Sequence, residues 1–257
     1  MEMAVDRTGR FRVVVGGISV GSENVTAGTL TGRFVDKTDG ATVIVSNRHV
    51  FDGKPSITLI LQPGPYDGGK AVDCIGILKR MAPLETEKKL PWWKRIICAL
   101  LGWILEEWCI AGKQPARLDA ACASWKPADT ARELAGGVLM DDGRIISPAE
   151  TVSGDNIAGR KVWKAGRTTG VTLGTVESDS AKVKVWYGDR WVIFEDVAIV
   201  KGIARGGDSG SPVFLMEDSS PSEKDKLCGI LFAGSAEYYV FCKYKYLETI
   251  LNVRWQP

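Results

Sequence analysis

Hydrophobic and polar residues alternate along this chain in many short segments, which are separated by glycine, aspartate and asparagine. Segments of this kind, rich in valine, isoleucine and aromatic residues, are typical of β-strands joined by turns. The first half of the chain contains FRVVVGG, GTLTGRFVD, ATVIVSN, ITLILQPG and DCIGILKR. The second half contains KVWKAG, GVTLGTVES, AKVKVWYG, RWVIFEDVAIV, SPVFL, LCGILFAG and YYVFC. This spacing predicts an all-β sandwich or pair of barrels, and not alternating β/α units.

Two stretches differ from the strand-like pattern. Residues 126–157 are richer in alanine, aspartate, glycine and proline, which predicts a linker between the two groups of strands. In the C-terminal segment YKYLETILNV the hydrophobic residues recur at helical spacing, which predicts a short helix closing over the second group. We therefore predict an N-terminal β-domain over residues 1–125 and a C-terminal β-domain over residues 158–257.

The composition narrows the class of protein. Of the 257 residues, 45% are hydrophobic and 25% are charged, as in ordinary soluble globular proteins. The net charge of +2 is too small to indicate binding to nucleic acid or to an anionic membrane. The first residues, MEMAVDRTGRF, lack the apolar core of an export signal, so we expect a cytoplasmic protein.

The six cysteines are scattered along the chain and lack the CxxC spacing of a zinc site, so we predict neither a metal nor a cofactor. In a reducing compartment they are expected to be small buried apolar residues. A bridge between Cys228 and Cys242 is the alternative, because both are predicted on neighbouring C-terminal strands.

The segment GDSGSP, which begins at Gly207, carries the first candidate for chemistry. A serine between glycines can lie on a tight turn that exposes its hydroxyl and brings the neighbouring backbone N–H groups together. Ser209 is thus a candidate nucleophile, and the N–H groups of Gly207 and Ser209 would form its oxyanion hole. A structural Gly/Ser turn is the alternative, but the irregular loop before GDSGSP and the apolar strand after it favour a nucleophile.

A serine hydroxyl is a weak nucleophile until a base removes its proton. The chain contains one histidine, His49, at the end of the apolar segment TVIVSNRHVF. A lone histidine is more often a structural residue. Because no other imidazole exists in the chain, His49 is nevertheless the one candidate base for Ser209.

The third member of a Ser-His-Asp arrangement is a carboxylate that orients the imidazole. Asp119, in RLDAACASW, precedes an apolar stretch, which suits a carboxylate at the edge of a barrel. Asp73, in AVDCIGILKR, has a similar setting, and the residues alone leave both candidates open. Asp52 follows His49 too closely to fold back onto it easily. Each of these aspartates also has a structural alternative, at a turn or a strand end.

The segments around His49, Asp119 and Ser209 resemble the trypsin-like serine peptidases, with their catalytic order of His, Asp and Ser. A larger set of segments is similar to a subgroup, the bacterial and archaeal trypsin-like peptidases related to the plant narrow-leaf type. These segments are VGGISVGSENVTAGTL, IVSNRHVF, ILQPGPYDGG, LDAACA, VWKAGRTTGVTLGTV, FEDVAIV, GGDSGSPVF and GILFAGS. The resemblance covers nearly the whole chain apart from one insertion.

This resemblance implies a serine endopeptidase acting on proteins or peptides, with two antiparallel six-stranded β-barrels of the chymotrypsin-like kind. The catalytic triad would lie in the cleft between the barrels, and Asp119 rather than Asp73 would be its aspartate. The family hallmark GRTTG, with Arg167, Thr168 and Thr169, is expected to be a structural turn in the second barrel.

The resemblance also implies where a substrate side chain would bind. The pocket would lie between the loop Lys201, Gly202 and Ile203 and the strand Phe232, Ala233, Gly234 and Ser235. Ile203 falls where a trypsin-like pocket has an acidic residue. We therefore expect a preference for neutral, apolar or small residues.

The N-terminal VVVGG is similar to the sequence that activating cleavage exposes in many secreted relatives. There, the new amine pairs with the aspartate beside the nucleophile. Here cleavage after Arg12 would free Val13 to pair with Asp208. We favour the alternative that VVVGG is the first strand of an enzyme that needs no activation.

The insertion, at about residues 85–115, contains LPWWKRIICALLGWILEEW. Pro91 can begin a helix, and the uncharged core 96–105 is about half the length needed to span a bilayer. We expect a helical insertion that packs on its own barrel or contacts another subunit of a homo-oligomer. Peripheral membrane contact through residues 91–110 is the third alternative.

Two other functions remain open at this point. The chain could be a catalytically silent protease-fold module for binding or assembly, with the insertion as its partner surface. It could also be a self-processing peptidase that acts only on its own polyprotein.

Overall fold

A computed structural model of the chain describes residues 5–25, 27–84, 86–87, 113–188 and 190–257. The strands in the first half are β1 Val13–Gly16, β2 Ser19–Ser22, β3 Gly28–Thr29, β4 Gly32–Asp36, β5 Thr42–Ser46, β6 Leu59–Leu61, β7 Cys74–Met81, β8 Thr86–Glu87, β9 Lys113–Gln114 and β10 Ala121–Trp125. Those in the second half are β11 Glu133–Leu139, β12 Ile145–Ile146, β13 Glu150–Thr151, β14 Lys161–Gly166, β15 Gly170–Trp186, β16 Trp191–Gly202, β17 Pro212–Leu215, β18 Lys226–Gly234, β19 Tyr238–Lys243 and β20 Val253–Trp255. Helix α1 is Tyr244–Thr249, and 3-10 turns occupy Pro65–Asp67 and Ala71–Asp73.

The first sheet has the strand order β20-β4-β5-β10-β7-β6-β2-β3, with antiparallel neighbours. Two residues, Leu30 and Thr31, separate β3 at one end of this order from β4 near the other end. The sheet must therefore curl until its ends approach each other, as in a barrel. Buried aliphatic side chains fill its interior, among them Val20, Ile44 and Ile75.

The second sheet has the order β13-β18-β17-β14-β15-β16-β19, and β19 also pairs with β18. The six strands from β14 to β19 therefore close into a ring, which leaves no free edge among them. The interior of the ring is packed with buried residues such as Val200, Leu231 and Phe241. The all-β fold with two curled sheets that the sequence predicts is confirmed.

An aromatic cluster joins the two sheets. Phe34 of the first sheet lies 5.2 Å from Trp255 of β20, between ring centroids. Phe214 of the second sheet lies 6.2 Å from Trp255 and 4.4 Å from Trp163. Helix α1, predicted at the C-terminus, carries the chain from the second sheet back to the first, where β20 pairs with β4.

The predicted linker, residues 126–157, contains the three short strands β11, β12 and β13. Strand β11 runs parallel to β1, and β13 runs parallel to β18. The predicted helical insertion lies almost entirely outside the described residues. At its base, β8 pairs with β9, so the chain leaves and re-enters the described region at adjacent points. The division into domains stays a prediction.

Four cysteines lie in the described part of the chain, Cys74, Cys122, Cys228 and Cys242, and all four are buried free thiols. Cys242 stands opposite Ile230 rather than Cys228 in the β18–β19 ladder. The alternative of a bridge between Cys228 and Cys242 is therefore wrong. The expectation of small buried residues is confirmed for these four cysteines.

Among the helices that the structure describes, none has the length and apolar character needed to cross a bilayer.

Candidate active site

His49 and Asp119 are brought together by two neighbouring strands of the first sheet. Strand β5 ends at Ser46, three residues before His49, and β10 begins at Ala121, two residues after Asp119. Ser46 and Ala121 are partners in the antiparallel ladder, so the end of β5 and the start of β10 lie at the same edge of the sheet. His49 Nδ1 lies 2.5 Å from Asp119 Oδ2.

The carboxylate of Asp119 is fully buried and accepts hydrogen bonds at both oxygens. Oδ1 accepts from the backbone N–H of Arg48 at 2.8 Å. Oδ2 accepts from His49 Nδ1 and from Tyr187 Oη, at 2.5 and 2.6 Å. The Asn47 side chain donates to Asp119 O at 2.6 Å, and Asp119 N donates to Cys242 Sγ at 3.3 Å. These contacts fix the carboxylate against the imidazole.

The environment of this pair moves both pKa values. Burial lowers the pKa of His49, but the charge of Asp119 and its hydrogen bond outweigh burial, so the net change is upward. Burial raises the pKa of Asp119, but His49, Tyr187 and the Arg48 backbone outweigh it, so the net change is downward. Asp119 is thus an anion that keeps a proton on Nδ1 and leaves Nε2 of His49 as the proton acceptor.

The GDSG loop, residues 207–210, is docked on the first sheet through its carbonyl groups. Thr29 Oγ1 donates to Gly207 O at 2.8 Å, and Thr29 N donates to Ser209 O at 2.7 Å. Thr31 Oγ1 donates to Gly210 O at 2.8 Å. Because Thr29 ends β3 and Thr31 immediately precedes β4, the loop of the second sheet lies against the first.

Gly28 shows how closely Ser209 approaches the histidine segment. A Cβ added to Gly28 would lie 2.4 Å from the side chain of Val50 and 2.9 Å from Ser209 O. The residue that follows His49 and the backbone of Ser209 therefore both contact Gly28. Only a glycine fits between them.

Several polar groups of the site make no hydrogen bond within the described residues. Among the described residues, neither Ser209 Oγ nor His49 Nε2 makes a hydrogen bond, and the N–H groups of Gly207 and Ser209 donate none. The hydroxyl of Ser209 and the ring of His49 are thus not joined by a hydrogen bond. Gly207 has φ of +97°, and an added Cβ would lie 2.4 Å from Thr168 Oγ1, so a glycine is required there.

The GRTTG segment forms the turn between β14 and β15, as predicted, and it also surrounds the aspartate beside Ser209. Asp208 is fully buried and accepts hydrogen bonds from Thr168 N, Thr169 N and Thr169 Oγ1, at 3.0, 3.1 and 2.7 Å. The backbone N–H of Arg205 donates to the same carboxylate at 2.9 Å. The buried ammonium of Lys164, on β14, lies 3.4 Å from Asp208 Oδ2.

Asp208 therefore has an internal cation as its partner. Val13, which activating cleavage would free, is the first residue of β1 and is paired with Glu133 of β11. The expectation that the chain needs no activating cleavage stays a prediction. Burial lowers the pKa of Lys164, against the opposite effect of Asp208.

Arg167 connects the same turn to the first sheet. Its backbone N–H donates to Thr29 Oγ1 at 2.9 Å, and its guanidinium forms an ion pair with Asp67. Asp67 belongs to the segment ILQPGPYDGG, so two segments that are distant in sequence are bonded to each other in the fold.

Two cavities lie beside His49. One has a volume of about 320 Å³ and is lined by Arg48, His49, Asp52, Leu84, Tyr187 and Arg190. The other has a volume of about 270 Å³ and is lined by His49, Val185, Trp186, Tyr187 and Phe232. The end of the β15–β16 hairpin therefore forms a wall of both.

Solved structures share this arrangement of two curled sheets. A chymotrypsin of Cellulomonas bogoriensis superposes with a TM-score of 0.58 at 13% sequence identity, over 95% of this chain and 98% of that one. Nocardiopsis protease has a TM-score of 0.60 at 15% identity, over 95% and 99% of the two chains. A glutamic acid-specific serine protease, which uses a histidine triad in substrate binding, has a TM-score of 0.58 at 16% identity, over 95% and 100%.

The chain has the chymotrypsin-like fold. No protein-family model matches its sequence, and no curated protein matches it either. The narrower resemblance to the subgroup related to the plant narrow-leaf type stays a prediction.

Within the chymotrypsin-like fold, the other candidate aspartates have different surroundings. Asp73 accepts hydrogen bonds from Arg10 Nε at 2.8 Å and from Lys70 N at 3.0 Å, away from His49. Asp52 is exposed and lines the larger cavity. Of the three aspartates, Asp119 is the one bonded to His49.

The residues predicted to line the substrate pocket lie at the ends of two strands of the second barrel. Ile203 follows β16, Ala233 and Gly234 end β18, and Ser235 follows β18. Ala204 N, next to Ile203, donates to Ser235 O at 3.0 Å. A Cβ added to Gly234 would lie 2.8 Å from the Cβ of Ala204. The Ile203 side chain is 48% exposed. The two predicted walls are therefore in contact through their backbones.

Two residues of the site were missed by the sequence analysis, Tyr187 and Lys164. Tyr187 lies in WYGDRW, whose Gly-Asp pair indicates a hairpin turn but not a contact with Asp119. Lys164 lies in the strand KVWKAG, where a buried position with a charged side chain could have signalled an ion pair.

Proposed function

We propose that this protein is a serine endopeptidase with His49, Asp119 and Ser209 as its catalytic triad. The observation that carries the proposal is the hydrogen bond between the buried Asp119 carboxylate and Nδ1 of His49, the only histidine of the chain. The GDSGSP loop docks on the same barrel. The chymotrypsin-like fold supports the same conclusion, because its two barrels bring these segments of the chain together.

In the proposed reaction, Ser209 Oγ attacks the carbonyl carbon of a peptide bond while Nε2 of His49 takes the hydroxyl proton. The resulting imidazolium is stabilised by Asp119 and delivers its proton to the leaving amine. Water then hydrolyses the acyl-enzyme through the same base, and Ser209 is regenerated.

The developing oxyanion needs hydrogen-bond donors that are already in position. The N–H groups of Gly207 and Ser209 are proposed for this role, and their freedom from other hydrogen bonds within the described residues supports it. The donors that surround Asp208 hold the intervening residue and so limit the movement of both N–H groups.

We propose that the substrate is a protein or peptide and that the pocket near Ile203, Ala233, Gly234 and Ser235 is neutral. The histidine triad of the glutamic acid-specific relative has no counterpart here, because the chain contains a single histidine. Contacts through residues 91–110, with another subunit or a membrane surface, fall outside the described residues and stay predictions.

The test is covalent labelling with a fluorophosphonate probe, which reacts with an activated serine. We expect the wild-type chain to be labelled at Ser209, as located by peptide mass spectrometry. Labelling should be absent in Ser209→Ala and should fall at least roughly 1,000-fold in His49→Ala, because the hydroxyl then lacks its base.

Asp73→Asn is the matched control, since Asp73 was the rival carboxylate and is not bonded to His49. It should label within about twofold of wild type, whereas Asp119→Asn should label roughly 1,000-fold more slowly or worse. An unlabelled but folded wild-type chain would contradict the proposal and favour a catalytically silent binding module. Labelling without cleavage of any peptide in trans would favour a self-processing peptidase.

A further inference from the structure

A tyrosine of the second barrel reaches the carboxylate of the first. Tyr187 follows β15, at the end of the long β15–β16 hairpin. Its Oη donates a hydrogen bond of 2.6 Å to Asp119 Oδ2, the same oxygen that accepts from His49 Nδ1. Asp119 is thus bonded on one oxygen by two side chains from different barrels.

The ring of Tyr187 is held between other rings. It is nearly perpendicular to the imidazole of His49, with 5.8 Å between centroids and an angle of 86°. On another side it stacks on Phe194, at 6.1 Å and 24°. Phe194 is fully buried and packs on Phe232 at 4.5 Å. These neighbouring rings limit displacement of the Tyr187 side chain and so keep its hydroxyl at Asp119.

The hairpin that carries Tyr187 is anchored to the segment that carries Asp119. Ala116 N donates to Ile193 O at 2.8 Å, and Glu195 N donates to Ala116 O at 2.9 Å. Arg117 and Glu195 add an ion pair of 3.0 Å. Since Ala116 is three residues before Asp119, the backbone itself sets the distance between Tyr187 and Asp119.

The hydroxyl of Tyr187 remains a donor throughout the working pH range. Burial raises the pKa of Tyr187, and the charge of Asp119 and its hydrogen bond raise this pKa further, well above the ordinary value. A protonated phenol beside a carboxylate can only donate to it.

We propose that Tyr187 is a positioning residue of this site, which holds Asp119 and, through Asp119, the ring of His49 in the orientation for proton transfer at Nε2. Its importance for catalysis rests on the proposed function. The hydrogen bond from Tyr187 also withdraws negative charge from Asp119 Oδ2. It therefore weakens the electrostatic attraction between Asp119 and the protonated imidazole of His49.

The single histidine allows this inference to be tested without any substrate. One set of imidazole signals is expected in the ¹⁵N–¹H spectrum, and its titration reports His49 directly. The wild-type pKa should lie above the ordinary histidine value of about 6.5. The charged groups that face His49 are Asp119, Asp52, Arg48 and Arg190, and none of them is changed in the test.

In Tyr187→Phe, the ring contacts are kept and only the hydroxyl is lost. Because Asp119 then attracts the imidazolium more strongly, the pKa of His49 should rise further, by at least about half a unit. The rate of fluorophosphonate labelling at pH 7 should fall about tenfold, since Asp119 and His49 are less firmly oriented and more His49 is protonated.

Tyr239→Phe is the matched control. Tyr239 is fully buried, and its hydroxyl has no hydrogen-bond partner among the described residues. In Tyr239→Phe, the pKa of His49 and the rate of labelling should match those of wild type. This result would exclude a general effect of removing a buried phenol hydroxyl.

An unchanged or lower His49 pKa in Tyr187→Phe would overturn the positioning role, even if labelling of wild type depends on the triad. If wild type is not labelled at Ser209 while the His49 pKa rises in Tyr187→Phe, the proposed peptidase activity fails and the link from Tyr187 through Asp119 to His49 stands. The two failures are therefore distinguishable.

Discussion

At the scale of single residues, position 203 belongs to the substrate pocket proposed above. The Ile203 side chain is 48% exposed and adjoins Ala204, whose backbone is bonded to Ser235 on the opposite predicted wall. An uncharged side chain at this point gives a basic substrate residue no partner, so a buried ammonium or guanidinium would be costly there.

We expect cleavage after neutral, apolar or small residues, as measured by mass spectrometry of a digested peptide library. Ile203→Asp should raise cleavage after Lys and Arg by at least about tenfold relative to neutral residues, because it adds an opposite charge. Ile57→Asp, at an isoleucine that is 69% exposed, is the matched control and should leave the profile unchanged. Strict cleavage after Lys or Arg by the wild-type chain would contradict the neutral pocket.

At the scale of elements, strand β14 and the GRTTG turn that follows it support the loop 207–210 through contacts with Asp208. Lys164 on β14 and the two threonines of the turn surround Asp208, the neighbour of Ser209. The buried ion pair is weak evidence for stability in itself, but loss of one partner leaves an uncompensated buried charge.

Lys164→Met removes the cation and keeps much of the side-chain volume. We expect the free energy of unfolding to fall by roughly 3 kcal/mol in urea denaturation at pH 7, and labelling of Ser209 to slow, because Asp208 is left without its counter-ion. Lys161→Met, at an exposed position of the same strand, is the matched control and should change stability by less than about 0.5 kcal/mol.

A double variant separates the effect of charge on stability from the effect of packing. In Lys164→Met with Asp208→Asn, neither charge remains, so part of the lost stability should return. Equal stability of Lys164→Met and Lys161→Met would show that Asp208 does not depend on Lys164.

At the scale of the whole molecule, the C-terminal strand holds the two barrels together. Trp255 of β20 is almost fully buried, touches Phe34 and Phe214 from different sheets, and donates from Nε1 to Pro148 O at 2.8 Å. Because the loop 207–210 of the second barrel is bonded to Thr29 and Thr31 of the first, contacts that join the barrels also affect the geometry of the candidate site.

Trp255→Ala should lower the free energy of unfolding by about 3–5 kcal/mol, the usual cost of removing a large buried aromatic side chain. Trp191→Ala, at an exposed tryptophan of the β15–β16 hairpin, should cost less than about 1 kcal/mol. Urea denaturation followed by circular dichroism measures both. Similar losses in the two variants would show that Trp255 does not join the barrels.

The local pattern of the sequence predicted much of this molecule. Alternation of apolar and polar residues predicted the strands, because a half-buried strand requires it, and the spacing in YKYLETILNV predicted helix α1. The single histidine and the glycines around Ser209 defined a candidate base and nucleophile through composition and backbone freedom alone. These features depend on a residue and its near neighbours in the sequence, so they can be predicted from the sequence alone.

The tertiary structure alone decided which distant residues meet. Asp73 and Asp119 both precede apolar strands, but only β10, which carries the chain on from Asp119, pairs with β5 beside His49. Tyr187 reaches Asp119, and Lys164 reaches Asp208, because the strands pair and the barrels pack in one particular way. In such contacts, the sequence around one residue does not indicate its distant partner. Burial strengthens these contacts, because the low dielectric of the interior favours electrostatic interactions and hydrogen bonds.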